Sequence, residues 1–281
     1  MQSPPTVPGY KLLERLGGGP LTSVYFARDC ATDELCAVKL LRPDWEDQPT
    51  AVKLLQREAR TGLAVRHAHV VRFLYAHVTR PPYFLVMELL RGESLRRRLR
   101  RECRLDMPTA LWIGRQCAEA LTALHQAGFL HGDIKPDNIR LVEEGHAVLI
   151  DLGFAHRPGE NAHLLKRGYV LGTVDYLASE LCAFDEETET SSDLFSLGVT
   201  LFEMLTGQLP YPQGTIEQTL RRHSSEPPTD IRSLVGGIPT GLVALLDRLL
   251  ARRPEDRPRA GLLVQQLIAL EIATTSRRLS A

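Results

Sequence analysis

The sequence pattern of this chain changes from strand-forming to helix-forming at residues 88–92. Between Tyr10 and Met87, runs of apolar and β-branched residues predict strands, interrupted by one helix at about 50–65 whose apolar residues recur every three or four positions. After this point helices are predicted at about 106–128, 192–205, 215–223, 240–251 and 259–272. The pattern therefore predicts an α+β fold, in which a small β-rich part with one main helix precedes a larger helical part.

The same change sets the predicted domain boundaries. A small lobe is joined by a hinge to a large lobe, and a proline-rich flexible leader and a short tail flank this single domain. In chain order the predicted parts are the leader 1–8, the domain 9–273 with its small lobe at about 9–87, its hinge at 88–92 and its large lobe at about 93–273, and the tail 274–281.

Composition narrows the class of protein. Hydrophobic residues make up 43% of the chain and charged residues 24%, which is typical of a globular protein and excludes a wholly disordered one. Lys and Arg together number 34, as do Asp and Glu, so no net charge attracts nucleic acid or an anionic membrane. No run of about 18 apolar residues exists, and the five cysteines form no CxxC pair. We therefore expect a cytoplasmic protein with no nucleic acid partner and no membrane partner.

Three consecutive glycines, Gly17 to Gly19, lie between the first two predicted strands. Glycines at such a turn allow backbone N–H groups to approach phosphate oxygens closely, although a plain hairpin turn would have the same sequence. Lys39 on the following strand provides a cation for those oxygens, and Glu58 on the predicted helix could hold its ammonium group in place. An exposed lysine and a solvated helix face are the alternative interpretations of these two charges.

The loop from His131 to Asn138 carries the most specific chemistry of the chain. Asp133, Lys135 and Asn138 can converge within one turn, where they could accept a hydroxyl proton, neutralise a phosphate and coordinate Mg²⁺. Asp151 ends an apolar strand further along the chain and offers a second oxygen ligand for Mg²⁺. The sequence therefore indicates phosphate chemistry at this loop.

In this order and spacing the motifs resemble those of eukaryotic-like (Hanks-type) serine/threonine protein kinases, from about Tyr10 to Leu270. The segments that carry the resemblance are the Gly-rich loop 16–24, Ala37-Val38-Lys39, Glu58, the loop 131–138, Asp151-Leu152-Gly153, the end of the activation segment at 172–180, the central helix at 193–199 and Arg257. Because 29 of the 34 basic residues are Arg, we expect the kinase to be bacterial.

This resemblance implies a bilobal protein kinase-like fold and an ATP-dependent enzyme. The enzyme would transfer the γ-phosphate of Mg·ATP to serine or threonine hydroxyl groups of proteins, with Mn²⁺ as an alternative to Mg²⁺. Asp133 and Lys135 would be the catalytic residues, Asp133 by deprotonating the substrate hydroxyl and Lys135 by neutralising the transferred phosphate. Asn138 and Asp151 would bind the metal ion.

The resemblance also assigns residues to nucleotide binding and to the activation segment. Lys39 would bind the α- and β-phosphates and pair with Glu58, and Thr173 would contact Asp133 and Lys135. The residues implied to surround the nucleotide are Leu16, Gly17, Gly18, Gly19, Val24, Ala37, the gatekeeper Met87, Glu88, Leu90, Leu141 and Ile150. The residues implied to organise the activation segment are Thr173, Asp193 and the pair formed by Glu180 and Arg257.

Two features of the activation segment depart from the usual kinase pattern. Gly132 stands where many kinases have an Arg that binds a phosphate on this segment. Residues 154–172 contain no Ser or Thr, and their only hydroxyl group is that of Tyr169. Together these absences predict activity that does not require Ser or Thr phosphorylation of the segment.

Other departures concern phosphate binding and packing. Pro20 lacks a backbone N–H and Thr22 replaces the third loop glycine, which predicts a weaker grip on phosphate. Gly62 lies one helical turn after Glu58, where the family packs an apolar side chain, and this predicts a mobile helix. Ser179 replaces the usual Pro, for which we expect only a small local change.

Two other functions stay open at this point. The His-Gly-Asp sequence also occurs in small-molecule phosphotransferases that resemble aminoglycoside or choline kinases, and the departures leave open a pseudokinase that binds ATP or partners without catalysis. A cluster of arginines begins at the predicted hinge, and it is either a solvated helix face or a docking patch for acidic substrates or partners. Its members are Arg91, Arg96, Arg97, Arg98, Arg100, Arg101 and Arg104. The sequence predicts neither the protein substrate nor the oligomeric state.

Overall fold

The computed structural model describes residues 5–143, 145–165, 171–182 and 189–279. The chain forms two compact units. The amino-terminal unit consists of Met1–Arg91 and Asp151–Gly153, and the carboxy-terminal unit consists of Gly92–Ile150 and Phe154–Ala281. No helix within the described ranges is long and apolar enough to cross a membrane.

The amino-terminal unit contains a five-stranded antiparallel sheet in the order β1-β2-β3-β5-β4, together with one main helix. Its elements are β1 (Tyr10–Gly18), β2 (Thr22–Asp29), β3 (Leu35–Leu41), α1 (Pro49–Ala64), β4 (Phe73–His77) and β5 (Phe84–Glu88). Pro49 lies in the first turn of α1, where N–H groups have no acceptor within the helix. A proline, which has no N–H, therefore costs no hydrogen bond there and favours the start of the helix. The predicted β-rich part with one main helix is confirmed.

The two faces of β3 have different surroundings. One face contributes three buried residues to the apolar core of the sheet, and the alternate residues Ala37 and Lys39 point to the opposite face. The core consists of Val7, Ala27, Cys36, Val38, Leu40, Phe84 and Val86. Lys39 therefore lies on a strand whose opposite face packs in the apolar core. This packing fixes the position of the strand and so of the lysine.

Two of these core residues bear on the sequence predictions. Val7 is only 3% exposed, and its carbonyl accepts a hydrogen bond from the Tyr10 nitrogen at 3.2 Å. The prediction of a flexible leader through residue 8 is therefore wrong at Val7, because an apolar residue there completes the core. Burial raises the pKa of the Cys36 thiol to about 11, so this cysteine is an inert packing residue.

Gly62 lies on the side of α1 that packs against β4. A Cβ atom at Gly62 would overlap the ring of Phe73, which is 5% exposed. Phe73 therefore fills the volume that a side chain at position 62 would occupy. A large residue on the neighbouring strand thus supplies the packing that the glycine lacks, and the prediction of a mobile helix, which also rested on the low helix propensity of glycine, stays a prediction.

Replacing Gly62 with Ala is expected to lower the free energy of unfolding by about 1–3 kcal/mol, because the new methyl group overpacks against Phe73. Helix propensity alone would instead raise the free energy of unfolding by about 1 kcal/mol. Denaturant unfolding measures the difference, with Gly114→Ala as the matched control. A Cβ at Gly114 would lie at an ordinary 3.5 Å from Leu201 Cδ1. Adding Phe73→Leu should recover part of the loss, and no recovery would contradict this packing argument.

The carboxy-terminal unit is mainly helical and contains a three-stranded sheet in the order β6-β7-β8. Its elements are β6 (Gly92–Ser94), α2 (Leu95–Glu102), α3 (Met107–Gln126), β7 (Ile139–Val142), β8 (Ala147–Leu149), α4 (Ala162–Leu165), α5 (Ser179–Cys182), α6 (Thr190–Thr206), α7 (Ile216–Ser225), α8 (Thr240–Leu249) and α9 (Ala260–Leu279). Most residues of α6 are buried, as predicted for the central helix.

The ends of two helices can be compared directly with the predictions. α3 begins after Asp106, whose side chain accepts a hydrogen bond from the Thr109 nitrogen at 2.9 Å, and this confirms the predicted helix start. α9 continues to Leu279, although a tail was predicted from residue 274. Thr274 is buried and its hydroxyl donates to the Leu270 carbonyl at 2.9 Å, so the helix does not end before it.

Candidate active site

Lys39 of β3 is held between two carboxylates of the amino-terminal unit. Its Nζ donates to Glu58 Oε1 and to Asp151 Oδ1, each at 2.7 Å. The side chains of Lys39 and Glu58 are 10% and 3% exposed. The pair expected from the resemblance is therefore present between β3 and α1, and Asp151 joins it.

Burial and mutual contact set the charges of this group. Burial lowers the pKa of Lys39, but the Glu58 and Asp151 carboxylates outweigh it and raise the pKa above its usual value. Burial also raises the pKa of Glu58, whereas the Lys39 ammonium favours the ionised carboxylate. Because its ammonium contacts two carboxylates at hydrogen-bond distance, Lys39 is a fixed cation at neutral pH.

Asp151 differs from its two partners in being accessible. Its backbone is left-handed, with a φ of 63°, and its side chain is 45% exposed. The Gly153 nitrogen donates to Asp151 Oδ1 at 3.3 Å, and a Cβ at Gly153 would lie 3.1 Å from that oxygen. The glycine therefore leaves the carboxylate open to a ligand.

The Gly-rich segment forms a tight hairpin between β1 and β2. Gly18 pairs with Ser23, and the Gly19 nitrogen donates to the Thr22 carbonyl at 3.0 Å. Gly18 has a φ of 143°, and a Cβ there would lie 2.8 Å from Ser23 Cα, so the hairpin requires this glycine. A Cβ at Gly17 or Gly19 would meet nothing within 4 Å. The hairpin interpretation therefore explains Gly18 but not the glycines on either side of it.

Residues expected to contact a nucleotide are found in both units. In the amino-terminal unit the strand register aligns Val24 with Lys39 and Ala37 with Met87, so these four side chains share one face of the sheet. Ala37 and Met87 are both 8% exposed, whereas Leu16 on β1 is 52% exposed. The sheet thus presents an apolar surface beside the lysine.

Four further members of the expected nucleotide set lie at the end of β5 and shortly after it, on β7, and directly after β8. The Glu88 nitrogen donates to the Arg72 carbonyl at 3.0 Å, so a backbone contact from Glu88 to a nucleotide would use its carbonyl. Leu90, two residues later, is half-buried. In the carboxy-terminal unit Leu141 lies on β7, and the Ile150 nitrogen donates to the Asn138 carbonyl at 2.9 Å.

Asp133 is the centre of a hydrogen-bonded cluster in the carboxy-terminal unit. Its Oδ2 accepts from Lys135 Nζ at 2.7 Å and from Asn138 Nδ2 at 2.9 Å, and its Oδ1 accepts from Thr173 Oγ1 at 2.8 Å. Lys135 Nζ also donates to Thr173 Oγ1 at 2.5 Å. A carboxylate has about four acceptor directions, so three donors orient Asp133 and leave about one for another hydroxyl group. The structure therefore brings these four predicted residues together.

Asp193 of α6 fixes the backbone of this loop. Its carboxylate accepts hydrogen bonds from the His131 and Gly132 nitrogens, both at 2.9 Å, and lies 2.8 Å from His125 Nε2. Burial raises the pKa of Asp193, but the contact with His125 and the backbone donor outweigh burial and lower it below its usual value. Asp193 is therefore a buried, ionised carboxylate that fixes the backbone of the loop at His131 and Gly132.

The backbone conformation at position 132 requires a glycine, so the absence of an Arg side chain there has a structural cause. It has a φ of 77°, and a Cβ there would lie 2.8 Å from the Phe154 carbonyl oxygen. The same carbonyl lies 2.8 Å from Nδ1 of His156, whose ring packs against Gly132. Any side chain at position 132 would have to adopt an unfavourable φ and displace these neighbours.

The end of the activation segment is tied to the loop before α9. Arg257 donates to Glu180 Oε1 at 2.8 Å and to Glu180 Oε2 at 2.7 Å, and both side chains are almost fully buried. Ser179 Oγ donates to the Arg252 carbonyl at 2.8 Å and accepts from Arg257 Nη2 at 3.1 Å. The expected pair is present. Ser179 bonds to both Arg257 and the Arg252 carbonyl, so its effect on this part of the structure is larger than the small local change that we predicted. Tyr169 lies outside the described residues.

Comparison with known proteins decides the family. The protein kinase domain family matches residues 10–268, which is most of the chain. The chain belongs to the protein kinase family. The predicted resemblance to Hanks-type kinases and the predicted bilobal kinase fold are therefore confirmed.

Three curated relatives of this kinase come from bacteria. Serine/threonine-protein kinase PknD of Mycobacterium tuberculosis is 33% identical over 251 residues, which cover 88% of this chain and 37% of the relative. PknE of the same species is 33% identical over 249 residues, covering 88% and 43%, and drp72 of Corynebacterium efficiens is 32% identical over 243 residues, covering 85% and 46%. This chain spans less than half the length of these relatives. Their names give no support to the small-molecule phosphotransferase alternative.

The residues expected to bind a metal ion have suitable donor atoms. Asn138 donates its amide nitrogen to the Asp133 carbonyl and to Oδ2, so its amide oxygen is the atom that can face a cation. Asp151 provides an accessible carboxylate. Within the described ranges, no group of three or more His, Cys, Asp or Glu residues could hold a metal by itself. Oxygen donors of this kind fit Mg²⁺, which is commonly bound by one or two protein oxygens together with substrate phosphates.

The basic cluster of this kinase is largely paired with acidic side chains. Four of its arginines contact carboxylates, namely Arg96, Arg97, Arg98 and Arg101. Arg96 is distinct because its guanidinium reaches Tyr176 and Glu203 as well as Asp137. The sequence predictions missed this network, since the run of arginines does not distinguish Arg96 from its neighbours.

Proposed function

We propose that this kinase transfers the γ-phosphate of Mg·ATP to serine or threonine hydroxyl groups of proteins. The observation that carries the proposal is the Asp133 cluster, in which a carboxylate, an ammonium and a threonine hydroxyl lie within hydrogen-bond distance of one another. The relatives, which are named serine/threonine-protein kinases, support the same activity. The buried Lys39–Glu58 pair supports an active enzyme rather than a pseudokinase.

Asp133 acts on the acceptor hydroxyl. It binds the serine or threonine O–H through its remaining acceptor direction and takes the proton as the oxygen bonds to the γ-phosphorus. The bond from that phosphorus to the β–γ bridging oxygen breaks, and ADP leaves. General-base catalysis of this kind contributes about 10²- to 10⁴-fold to the rate.

Four other residues place and stabilise the transferred group. Lys135 holds Asp133 and neutralises charge on the γ-phosphoryl oxygens, and Lys39 binds the α- and β-phosphates as a fixed cation. Asn138 and Asp151 are the residues that would hold Mg²⁺, which when bound would supply positive charge that stabilises the phosphate oxygens.

We also propose that activity does not depend on Ser or Thr phosphorylation of the activation segment, whose residues 154–172 contain neither residue type. Direct bonds from Thr173 to Asp133 and from Lys135 to Thr173 order the acceptor side without a phosphate. The backbone and His156 leave no room for a side chain at Gly132, so an Arg that would bind such a phosphate is absent for a structural reason. We further propose that the kinase is cytoplasmic and that an acidic partner docks at Arg91–Arg104.

The test uses enzyme that has been treated with a phosphatase. Mass spectrometry first verifies that no phosphate is left, and γ-labelled Mg·ATP is then supplied with a generic basic protein. We expect labelled phosphoserine or phosphothreonine at the initial rate of untreated enzyme. Activity that returns only after a Ser or Thr of the activation segment is phosphorylated would disprove the independence. ATP binding without transfer to protein would favour a small-molecule phosphotransferase, and neither binding nor transfer would favour a pseudokinase.

A further inference from the structure

Arg96 of α2 connects three elements of the carboxy-terminal unit through one guanidinium group. Its Nε donates to Asp137 Oδ2 at 3.0 Å and its Nη2 donates to the Tyr176 hydroxyl at 2.5 Å. Its Nη1 donates to Glu203 Oε1, and the Tyr176 hydroxyl in turn donates to Glu203 Oε2 at 2.6 Å. The guanidinium therefore links the loop after Asp133, the end of the activation segment and α6.

Two of these contacts, Asp137 and Tyr176, lie next to residues of the Asp133 cluster. Asp137 belongs to the short turn Pro136–Asn138 and immediately precedes Asn138, which donates to Asp133. The Tyr176 nitrogen donates to the Thr173 carbonyl at 2.9 Å, so Tyr176 closes the turn that carries the Thr173 hydroxyl. Arg96 thus restrains both segments that orient the proposed catalytic carboxylate.

Tyr176 is itself restrained on its other side. Its carbonyl accepts a hydrogen bond from Ser196 Oγ of α6 at 2.7 Å, and its side chain is 5% exposed. Burial raises the pKa of the Tyr176 hydroxyl, and the Glu203 carboxylate raises it further, so the hydroxyl stays protonated. A neutral, fixed phenol can then accept from Arg96 and donate to Glu203 at the same time.

The charge of Arg96 balances two carboxylates. The Arg96 side chain is 20% exposed, Glu203 is 10% exposed and Asp137 is 48% exposed. Lys135 is committed to Asp133 and Thr173, so it does not neutralise these two groups. Without Arg96, two negative charges would flank the acceptor side and would attract a cationic substrate.

We propose that Arg96 is a positioning residue that orders the acceptor side of the active site, and that its charge prevents this side from selecting basic substrates. The proposal rests on the proposed protein kinase function. A planar guanidinium with five donors suits the role because it reaches three acceptors at fixed angles, which a lysine ammonium does not.

The test compares Arg96→Gln with the wild type on two acceptor peptides that differ only in neutral or basic residues around one serine. We expect kcat for the neutral peptide to fall about 100-fold, the scale of a misplaced catalytic group. We expect the ratio of kcat/KM for the basic peptide to that for the neutral peptide to rise about tenfold. KM for ATP should not change. Arg221→Gln is the matched control, because the Arg221 side chain is 71% exposed and bonds only to Glu226 among the contacts described.

Two further variants separate positioning from charge and keep the test decisive if Arg96→Gln does not fold. Arg96→Lys retains the charge but not the three contacts, so it should keep the wild-type peptide preference with a low kcat. Tyr176→Phe removes one hydroxyl group and should lower kcat without changing the peptide preference. Thermal unfolding is recorded for every variant, because loss of stability alone would affect both peptides equally.

The outcomes distinguish this inference from the proposed function. A wild-type chain that labels neither peptide would overturn the proposed function, and the role of Arg96 with it. An active wild type with Arg96→Gln and Tyr176→Phe both at wild-type kcat would overturn the positioning role alone. An unchanged peptide preference in Arg96→Gln would overturn the role of its charge.

Discussion

Replacing Asp133 with Asn is expected to lower kcat for phosphate transfer by about a thousandfold, within the range for loss of a general base. The amide oxygen can still accept from Lys135 and Asn138, and the amide nitrogen can donate to the Thr173 hydroxyl oxygen. The contacts of the cluster are therefore retained, with the Thr173 hydroxyl accepting from position 133 where it now donates, but the group that takes the proton is lost. We expect the folded state and the KM for ATP to change little.

The measurement is initial transfer from γ-labelled Mg·ATP, with near-ultraviolet circular dichroism to verify the fold. Asp33→Asn is the matched control, since the Asp33 side chain is 80% exposed and contacts Arg28 in the hairpin between β2 and β3. Asn tolerates the left-handed backbone of Asp33, which has a φ of 63°. Transfer within tenfold of wild type by a folded Asp133→Asn variant would mean that Asp133 is not the base.

Local patterns were enough to predict most of the elements and the loop of the site. The recurrence of apolar residues at three and four positions predicted α1, and Asp106 followed by Pro108 predicted the start of α3. The residues Asp133, Lys135 and Asn138 are close in sequence, so one turn was sufficient to bring them together. Thr173 was expected from the resemblance alone, because nothing in its local sequence indicates a contact with Asp133.

What could not be predicted depends on pairs that are distant in sequence. Phe73 fills the space at Gly62 because β4 packs on α1, and no periodic pattern shows which side chain faces a given glycine. Arg96 differs from the arginines beside it only through the positions of Tyr176 and Glu203, which are 80 and 107 residues away. Such contacts follow from tertiary packing, and the pattern of a single segment does not contain them.

Replacing Arg257 with Met is expected to lower the free energy of unfolding by about 3–5 kcal/mol, because it leaves the buried Glu180 carboxylate without its cation. Arg257 is fully buried, and its guanidinium makes both bonds to Glu180. It also donates to the carbonyls of Ala251, Ser191 and Arg252. Ser192 Oγ would still donate to Glu180 Oε1 at 2.8 Å, but a neutral hydroxyl group does not replace the cation, so the loss should be large and should loosen the end of the activation segment.

Denaturant unfolding measures this loss, with Arg253→Met as the matched control because Arg253 is 73% exposed and pairs with Glu255 on the surface. The double variant Arg257→Met with Glu180→Leu removes the uncompensated charge. It should recover part of the stability, since replacing both partners of a buried ion pair costs less than replacing one. Recovery should be incomplete, because the three backbone carbonyls lose their donors in both variants. A double variant no more stable than Arg257→Met would mean that Arg257 stabilises the kinase through those carbonyls and not through Glu180.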